Sequence, residues 1–327
     1  MSTSTDAHAE VAPCRACGSP VFDDESFCEA CGSKVTPEAD VPVPASPASK
    51  AARPVARREA HDLGVLGAVT DIGYRRSRNE DAVAIAVTDG CHIAAVCDGV
   101  SSTAHGDRAA HAATTAALAT LQRALEHPGR TAGADLEALM GDAFDEAQQA
   151  VLLVPSDDDP LGNVASPSTT LVVAITTPER VVVGNTGDSR AYLLSADPSL
   201  SRLLTIDDSW AQERIAEGTR PEEAYEQPGA HVITRWIGGG TESWAPRVTD
   251  VEVDGPGLVV LCTDGVWNSF EEPARLEALV PDGTPSPIEV AHALADAALE
   301  AGGRDNMAIA IIPVGRTLPN ARERSGS

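Results

Sequence analysis

The sequence is poor in lysine and in aromatic residues, and it contains no long apolar run. Lys34 and Lys50 are its two lysines, aromatic residues make up 3% of the 327, and acidic residues outnumber Lys plus Arg by 49 to 24, a formal net charge of −25. An acidic surface repels phosphate backbones, which argues against nucleic-acid binding. No apolar stretch reaches the roughly 18 residues of a membrane span, and Met1–Glu10 lacks a signal-peptide layout. These absences predict a cytoplasmic protein without membrane contact.

Four of the seven cysteines form two C-x-x-C pairs near the N-terminus. In a chain without an export signal, this spacing indicates a metal site and not a disulfide framework. A glycine follows each pair, at Gly18 and Gly32, and lets the chain turn tightly beneath the sulfur atoms. The segment is similar to zinc ribbons, in which four thiolates surround one tetrahedral ion. We predict one structural zinc ion, held by Cys14, Cys17, Cys28 and Cys31. The alternatives are a redox dithiol pair or an iron site.

The composition predicts a small module, a linker and one large domain. The stretch V-P-V-P-A-S-P-A-S is typical of an extended, disordered tether. The predicted segments are a flexible N-terminus (residues 1–12), the zinc ribbon (13–33), a Pro/Ala-rich disordered linker (34–60), the large domain (61–316) and a flexible C-terminal tail (317–327).

The large domain alternates clusters of apolar, β-rich runs with stretches of helical periodicity. Clustered strands joined by short turns favour antiparallel sheets covered by helices, an α+β class. The predicted strands are Val65–Thr70, Ala82–Val87, His92–Cys97, Thr170–Thr176, Val181–Asn185, Ala191–Ser195, Leu258–Thr263 and Met307–Pro313. The predicted helices are Asp107–Leu125, Leu136–Val151, Ala211–Glu217 and Pro287–Ala301.

Acidic residues lie at the ends of four of these predicted strands. Glu80 and Asp81 open one strand, Asp98 closes the next, Asp264 follows a third, and Asp305 precedes the last. Single Asp-Gly pairs are usually turns, but two such pairs after buried-looking strands, together with Asn-Glu-Asp and Arg-Asp-Asn, indicate more than turns. Carboxylates gathered at one sheet edge are typical ligands of hard cations such as Mg²⁺ or Mn²⁺.

The motifs also occur together in a recognisable order. The sequence reads T-D-I-G-Y-R-R-S-R-N-E-D-A, V-C-D-G-V, S-T-T-L, G-N-T-G-D-S-R-A-Y, H-V-I-T-R, L-C-T-D-G-V-W and G-G-R-D-N-M-A-I. In this order they resemble the metal-dependent type 2C (PPM) serine/threonine protein phosphatases, over about residues 63–314. The resemblance implies a central antiparallel β-sandwich flanked by helices, a four-layer αββα arrangement, preceded here by the zinc ribbon.

The resemblance also implies site residues and a reaction. Two Mn²⁺ or Mg²⁺ ions would activate a water that hydrolyses phosphoserine and phosphothreonine in proteins. Arg76 would bind the phosphate, and Asp98 would bridge the two ions. The implied metal ligands are Glu80, Asp81, Asp98, the Gly99 carbonyl, Asp264 and Asp305. The implied partners are phosphorylated proteins and a cognate serine/threonine kinase.

The chain departs from the family pattern in two places. After Asp98-Gly99 the family commonly has a Gly-Gly-His stretch, whereas this chain reads V-S-S-T-A-H-G-D, which leaves the general acid open and assigns His105 a surface or packing role. The place of an additional metal-binding Asp holds Asn163, which leaves a third ion open. Asp188 is assigned to the framework beneath the site. The alternative function is a catalytically weak regulatory protein that binds phosphoproteins.

Overall fold

The computed structural model describes residues 57–88, 90–103, 105–126, 135–155 and 166–315, and the backbone of two short strands near the N-terminus. Those strands, β1 (Ala12–Pro13) and β2 (Pro20–Val21), pair antiparallel. The four cysteines of the predicted zinc ribbon lie outside the described residues, as do Asn163 and most of the predicted linker.

The chain divides into two compact units. Of the described residues, the larger unit contains 58–207 and 235–315, and the smaller unit contains 208–234. None of the helices in the described residues combines the length and the apolar character that a membrane crossing needs.

The larger unit is built on two antiparallel sheets. A six-stranded sheet has the order β11-β10-β14-β15-β4-β3, and a five-stranded sheet has the order β13-β9-β8-β6-β5. The strands of the first are β3 (Arg58–Asp62), β4 (Gly67–Asp71), β10 (Arg190–Ser195), β11 (Arg202–Leu203), β14 (Gly257–Cys262) and β15 (Met307–Val314). Those of the second are β5 (Asp81–Thr88), β6 (Cys91–Asp98), β8 (Leu171–Thr176), β9 (Arg180–Thr186) and β13 (Arg247–Glu252). A two-stranded ladder joins β7 (Ser168–Thr169) to β12 (Ile237–Gly238).

Helices cover the outer face of each sheet. Against the five-stranded sheet pack α1 (Gly106–Leu125) and α2 (Leu136–Leu152). Against the six-stranded sheet pack α5 (Asp264–Trp267), α6 (Pro273–Glu277) and α7 (Pro287–Glu300). The smaller unit holds α3 (Trp210–Ala216) and α4 (Pro221–Tyr225), which share a small core of Ala211, Ala224 and Ala230.

Alternating side chains explain the layering. In β6, Ile93 and Ala95 pack among the residues of α1 and α2, whereas Ala94 and Val96 face the core between the two sheets. Successive strand residues point to opposite faces, so a strand that is apolar at every position is buried on both sides. The arrangement is helices, sheet, sheet, helices. The predicted α+β sandwich with four layers is therefore confirmed.

The predicted strands and helices differ from the observed ones by one or two residues at their ends. At the site, Asp264 follows the strand as predicted and begins the single helical turn α5, which was not predicted. The first strand of the large unit begins at Arg58, three residues before the predicted domain start at residue 61. The edge strand β13 was not predicted, because its sequence R-V-T-D-V-E is too polar to read as a buried strand.

Candidate metal centre

The hairpin β5–β6 places two carboxylates opposite each other. Asp81 is the first residue of β5 and Asp98 the last of β6, and the two are direct partners in the antiparallel register. Asp81 is buried, and its carboxylate accepts a hydrogen bond of 2.7 Å from the Thr263 hydroxyl. The backbone N–H of Ala308 donates to the same hydroxyl oxygen at 2.9 Å. Thr263, the residue before Asp264, therefore connects the hairpin to β15.

The backbone of Asp98 is held on both sides by two threonines of the S-T-T-L motif. Its N–H donates to the Thr170 hydroxyl at 2.9 Å, and its carbonyl accepts from the Thr169 hydroxyl and from the Thr170 N–H, both at 2.8 Å. The Thr170 hydroxyl also shares a 2.7 Å hydrogen bond with the buried Ser189 hydroxyl. Buried, mutually bonded polar groups of this kind fix one local geometry. The motif therefore positions the end of β6.

Gly99 occupies a place where no side chain fits. A Cβ atom there would lie 2.4 Å from the Gly106 carbonyl oxygen and 2.7 Å from that of Glu80. The Gly99 N–H donates to the same Glu80 carbonyl at 3.1 Å. The Asp-Gly pair thus lets the start of α1 and the start of β5 approach the end of β6.

Asp264 and Asp305 are brought together by another close backbone approach. Asp264 is the first residue of α5, and Asp305 lies two residues before β15. A Cβ on Gly265 would lie 1.9 Å from the Asn306 carbonyl oxygen, so the turn after β14 packs directly on the chain that carries Asp305. The second Asp-Gly pair is therefore also required by packing.

The predicted phosphate-binding arginine contacts one of these acids. Arg76 donates through Nε and Nη2 to the two carboxylate oxygens of Asp305, at 2.9 and 2.8 Å. Glu80 lies at the edge of the site, where its carboxylate accepts a 2.7 Å hydrogen bond from the Ser101 hydroxyl. The structure thus brings Arg76, Asp305 and the strand-end acids into one region of the larger unit.

Burial and mutual repulsion make these carboxylates hard to ionise. Burial, followed by the charges of neighbouring acids, raises the pKa of Asp98 and that of Asp264 well above the usual value. Burial also raises the pKa of Asp81 to about 8, with a further contribution from the charge of Asp305. Such shifts mark an excess of like charge in a poorly solvated place.

Asp188 belongs to the same group of charges. Its carboxylate is among the charges that raise the pKa of both Asp98 and Asp264. Sequence reasoning assigned it to the framework. The available signal in the sequence was the position of Asp188 in G-N-T-G-D-S-R-A-Y, between the last residue of β9 and the first residue of β10.

The donor set fits a divalent cation by its chemistry. Among the described residues, no group of three or more His, Cys, Asp or Glu side chains is arranged so that it could hold a metal ion. The acids nevertheless offer only oxygen donors, the ligands that Mg²⁺ and Mn²⁺ prefer. A cation of charge two would also relieve their mutual repulsion. Arg76 supplies one positive charge to this region and offsets only part of that repulsion.

Cys97 and His105 lie close to the acids in sequence. Cys97 is fully buried in the core beneath α1 and α2, and burial raises the pKa of its thiol well above the usual value. His105 precedes α1 with a left-handed backbone (φ 57°) and makes no side-chain cap to the helix.

The fold and these residues define a class of protein, an α+β sandwich with a cluster of acidic residues at one end. The family model described as "Protein phosphatase 2C" matches residues 73–299. The chain belongs to the protein phosphatase 2C family.

Two curated relatives extend this result. The chain is 32% identical over 256 residues to the "Serine/threonine protein phosphatase PstP" of Mycobacterium tuberculosis, which covers 76% of this chain and 46% of the relative. It therefore spans about half the length of that relative. It is 29% identical over 246 residues to the "Serine/threonine phosphatase stp" of Listeria innocua, covering 74% of this chain and 93% of the relative.

Two crystal structures share the fold. One is the serine/threonine phosphatase PstP/Ppp of Mycobacterium tuberculosis, at 26% identity and a TM-score of 0.58, covering 75% of this chain and 96% of that one. The other is the catalytic domain of PstP in complex with two manganese ions, at 26% identity and a TM-score of 0.55, covering 76% and 97%.

Proposed function

We propose that this chain is a metal-dependent phosphatase that hydrolyses phosphoserine and phosphothreonine in proteins. The observation that carries the proposal is the convergence of Asp81, Asp98, Asp264 and Asp305 on one end of the sandwich, beside Arg76. Two relatives bear the name serine/threonine phosphatase, and one related structure holds two manganese ions.

The acids are proposed to hold two Mn²⁺ or Mg²⁺ ions. As the family resemblance implies, Asp98 would help to hold both ions, and the Gly99 carbonyl would add a neutral oxygen. Asp264 and Asp305 would hold the second ion, while Glu80 and Asp81 would bind at the edge or orient water. When bound, such a pair supplies Lewis acidity and a water activated for in-line attack at phosphorus.

Arg76 is proposed to bind the phosphate group of the substrate. Its guanidinium presents two parallel N–H groups, the geometry it already uses toward Asp305 and the one that suits a phosphate. The arginine would therefore release the carboxylate oxygens of Asp305 and bind two oxygens of the substrate phosphate in their place. It would orient the phosphate and offset its charge.

The N-terminal cysteines are proposed to form a zinc ribbon over residues 13–33, followed by a linker to residue 60. The support is the spacing of Cys14, Cys17, Cys28 and Cys31. Elemental analysis of the purified chain should give one zinc per molecule, and a Cys14→Ser, Cys17→Ser variant should lose it. Iron in place of zinc, or no bound metal, would refute this part of the proposal.

The natural substrates are proposed to be phosphorylated proteins of the cytoplasm, supplied by a serine/threonine kinase. A kinase reaction produces the phosphomonoester that this site would consume. The acidic overall charge of −25 further favours protein substrates over nucleic acids.

The decisive experiment measures phosphate release from a phosphothreonine peptide with and without Mn²⁺. Asp98→Asn and Asp264→Asn should each abolish metal-dependent release, because each removes a charged oxygen donor. Asp250→Asn, which changes an acid on the outer strand β13, is the matched control and should retain activity. If the folded, metal-loaded chain releases no phosphate but binds the peptide, the alternative of a phosphoprotein-binding regulator replaces the phosphatase.

A further inference from the structure

The loop that carries Arg76 and Glu80 is held by the side chain of one buried residue, Asn306. Its amide nitrogen donates two hydrogen bonds of 2.9 Å, one to the carbonyl of Ile72 and one to that of Arg78. Its amide oxygen accepts a 2.8 Å hydrogen bond from the Glu80 N–H. Asn306 is 4% exposed, so no bulk water replaces these bonds.

The three bonds enclose the functional part of the loop. Ile72 lies on one side of Arg76, and Arg78 and Glu80 lie on the other. A primary amide has two donor hydrogens and one oxygen, and here each finds a backbone partner, which also fixes which end of the amide is which. A buried amide satisfied in this way holds the segment in one geometry.

A glycine brings the same loop against the chain before β15. Gly73 has a positive φ of 74°, and a Cβ there would lie 2.2 Å from the Asp305 carbonyl oxygen. The next residue, Tyr74, donates its N–H to the Gly303 carbonyl at 2.7 Å. The loop and residues 303–306 thus form one packed unit, with the amide of Asn306 at its centre.

We propose that Asn306 is a positioning residue of the active centre, which holds Arg76 and Glu80 at their working distance from Asp305. This inference rests on the proposed function for its catalytic meaning. Asn306 itself contacts neither substrate nor metal in this proposal, and its three bonds all go to backbone atoms. The Asn of the Arg-Asp-Asn motif is therefore required as an amide and not as a ligand.

The first test follows hydrogen exchange of the metal-free chain, which needs no catalysis. Asn306→Asp keeps the size and the acceptor but replaces both donors with a charge facing two carbonyls. Amides of residues 74–80 should then exchange at least about tenfold faster, because buried carbonyls lose their partners. Asn185→Asp is the matched control, since Asn185 is 2% exposed and its amide also donates to two carbonyls, those of Gly187 and Ile206. It should leave the exchange of residues 74–80 unchanged.

The second test measures turnover of the phosphothreonine peptide with saturating Mn²⁺. Asn306→Asp should raise the KM at least about tenfold, because Arg76 is no longer held in place. The Arg76→Ala, Asn306→Asp double variant should show nearly the KM of Arg76→Ala alone, since both changes act through one guanidinium. Leu121→Ala, a buried change in the C-terminal half of α1, is the control for lost stability and should keep the KM of the wild type.

The outcomes separate the inference from the proposed function. Unchanged exchange of residues 74–80 in Asn306→Asp would overturn the positioning role, as would effects of Arg76→Ala and Asn306→Asp on KM that multiply. Faster exchange in a chain that never hydrolyses the peptide would refute the phosphatase and keep the role of Asn306 in ordering the loop. If Asn306→Asp does not fold, Asn306→Ser provides the same exchange test without the added charge.

Discussion

Arg76 and Asp305 are joined by two parallel hydrogen bonds of 2.9 and 2.8 Å, although each is proposed to bind a different partner. The arginine would bind the substrate phosphate and the aspartate a metal ion. Their side chains are 27% and 32% exposed, so the pair is open to exchange with solvent species. The ion pair therefore competes with both proposed ligands.

Removal of Arg76 should have opposite effects on metal and substrate. Arg76→Ala frees Asp305 and removes a positive charge, so Mn²⁺ should bind up to about fivefold more tightly, the range expected for losing a partly exposed ion pair. The same change should raise the KM for a phosphopeptide at least about tenfold, because the bidentate contact is lost. Titration calorimetry measures the first effect and steady-state kinetics the second.

Arg75→Ala is the matched control, since it removes the same charge from the adjacent, exposed position. It should change Mn²⁺ affinity less than Arg76→Ala does. Equal effects of the two variants would indicate long-range charge and not the contact with Asp305.

The acidic cluster should destabilise the metal-free protein. Asp98→Asn removes a carboxylate from a group of repelling charges, so it should raise the free energy of unfolding by about 1 kcal/mol or more in the presence of a chelator. Stabilisation by excess Mn²⁺ should be large in the wild type and nearly absent in the variant. Thermal unfolding with chelator and with Mn²⁺ checks both statements, and a variant less stable than wild type under chelator would contradict them.

The buried ion pair of Arg190 should be a main determinant of stability in the six-stranded sheet. Three hydrogen bonds, the shortest 2.7 Å, link its guanidinium to Asp207, and the guanidinium carbon lies 3.8 Å from the ring centre of Trp267. Asp207→Ala removes the buried partner of the guanidinium and leaves it the 3.3 Å contacts with the exposed Glu271, so it should cost about 3 kcal/mol.

Urea unfolding measures that cost. An Arg190→Met, Asp207→Leu double variant should recover much of it, because both charges are then absent. A loss below about 1 kcal/mol for Asp207→Ala would show that solvent or another acid compensates the arginine.

Gly99→Ala should damage the site through backbone displacement. The added methyl would lie 2.4 Å from the Gly106 carbonyl oxygen, so the start of α1 must move, at a cost of about 1–3 kcal/mol and most of the activity. Gly141→Ala is the matched control, because a Cβ there meets no atom within 4 Å and the residue lies inside α2. That variant should be stabilised by about 0.5–1 kcal/mol. Calorimetry and a phosphatase assay compare the two.

Sequence patterns were sufficient where a property is local. The buried strands β6, β8 and β15 are continuous apolar runs, and their ends lie within two residues of the predicted ones. The helices α1 and α7 carry apolar residues at helical spacing and are found where expected. The ordered motifs also predicted which family the chain belongs to.

Properties that depend on distant contacts were not predictable. The sequence places Asn306 beside Asp305 but does not indicate that its amide binds three backbone groups more than 220 residues earlier. The charge effect of Asp188 on Asp98 likewise depends on how strands β6 and β9 end at the same side. The proposed roles of the acids stay predictions until the metal assays are done.

Because Asp81 pairs with Asp98, the positions of both acids depend on the lengths of strands β5 and β6. Both acids lie at the open end, seven residue pairs away from the pair next to the turn, Thr88 with Cys91. Each added residue shifts the register by one step and turns every following side chain to the opposite face. Natural variants of this hairpin should therefore change length only by two residues, or a multiple of two, in each strand, since this keeps both the pairing and the face of the acids. An insertion in one strand alone should require a bulge before the acids. The lengths of β5 and β6 in related sequences should therefore show whether the pairing of the two acids is kept.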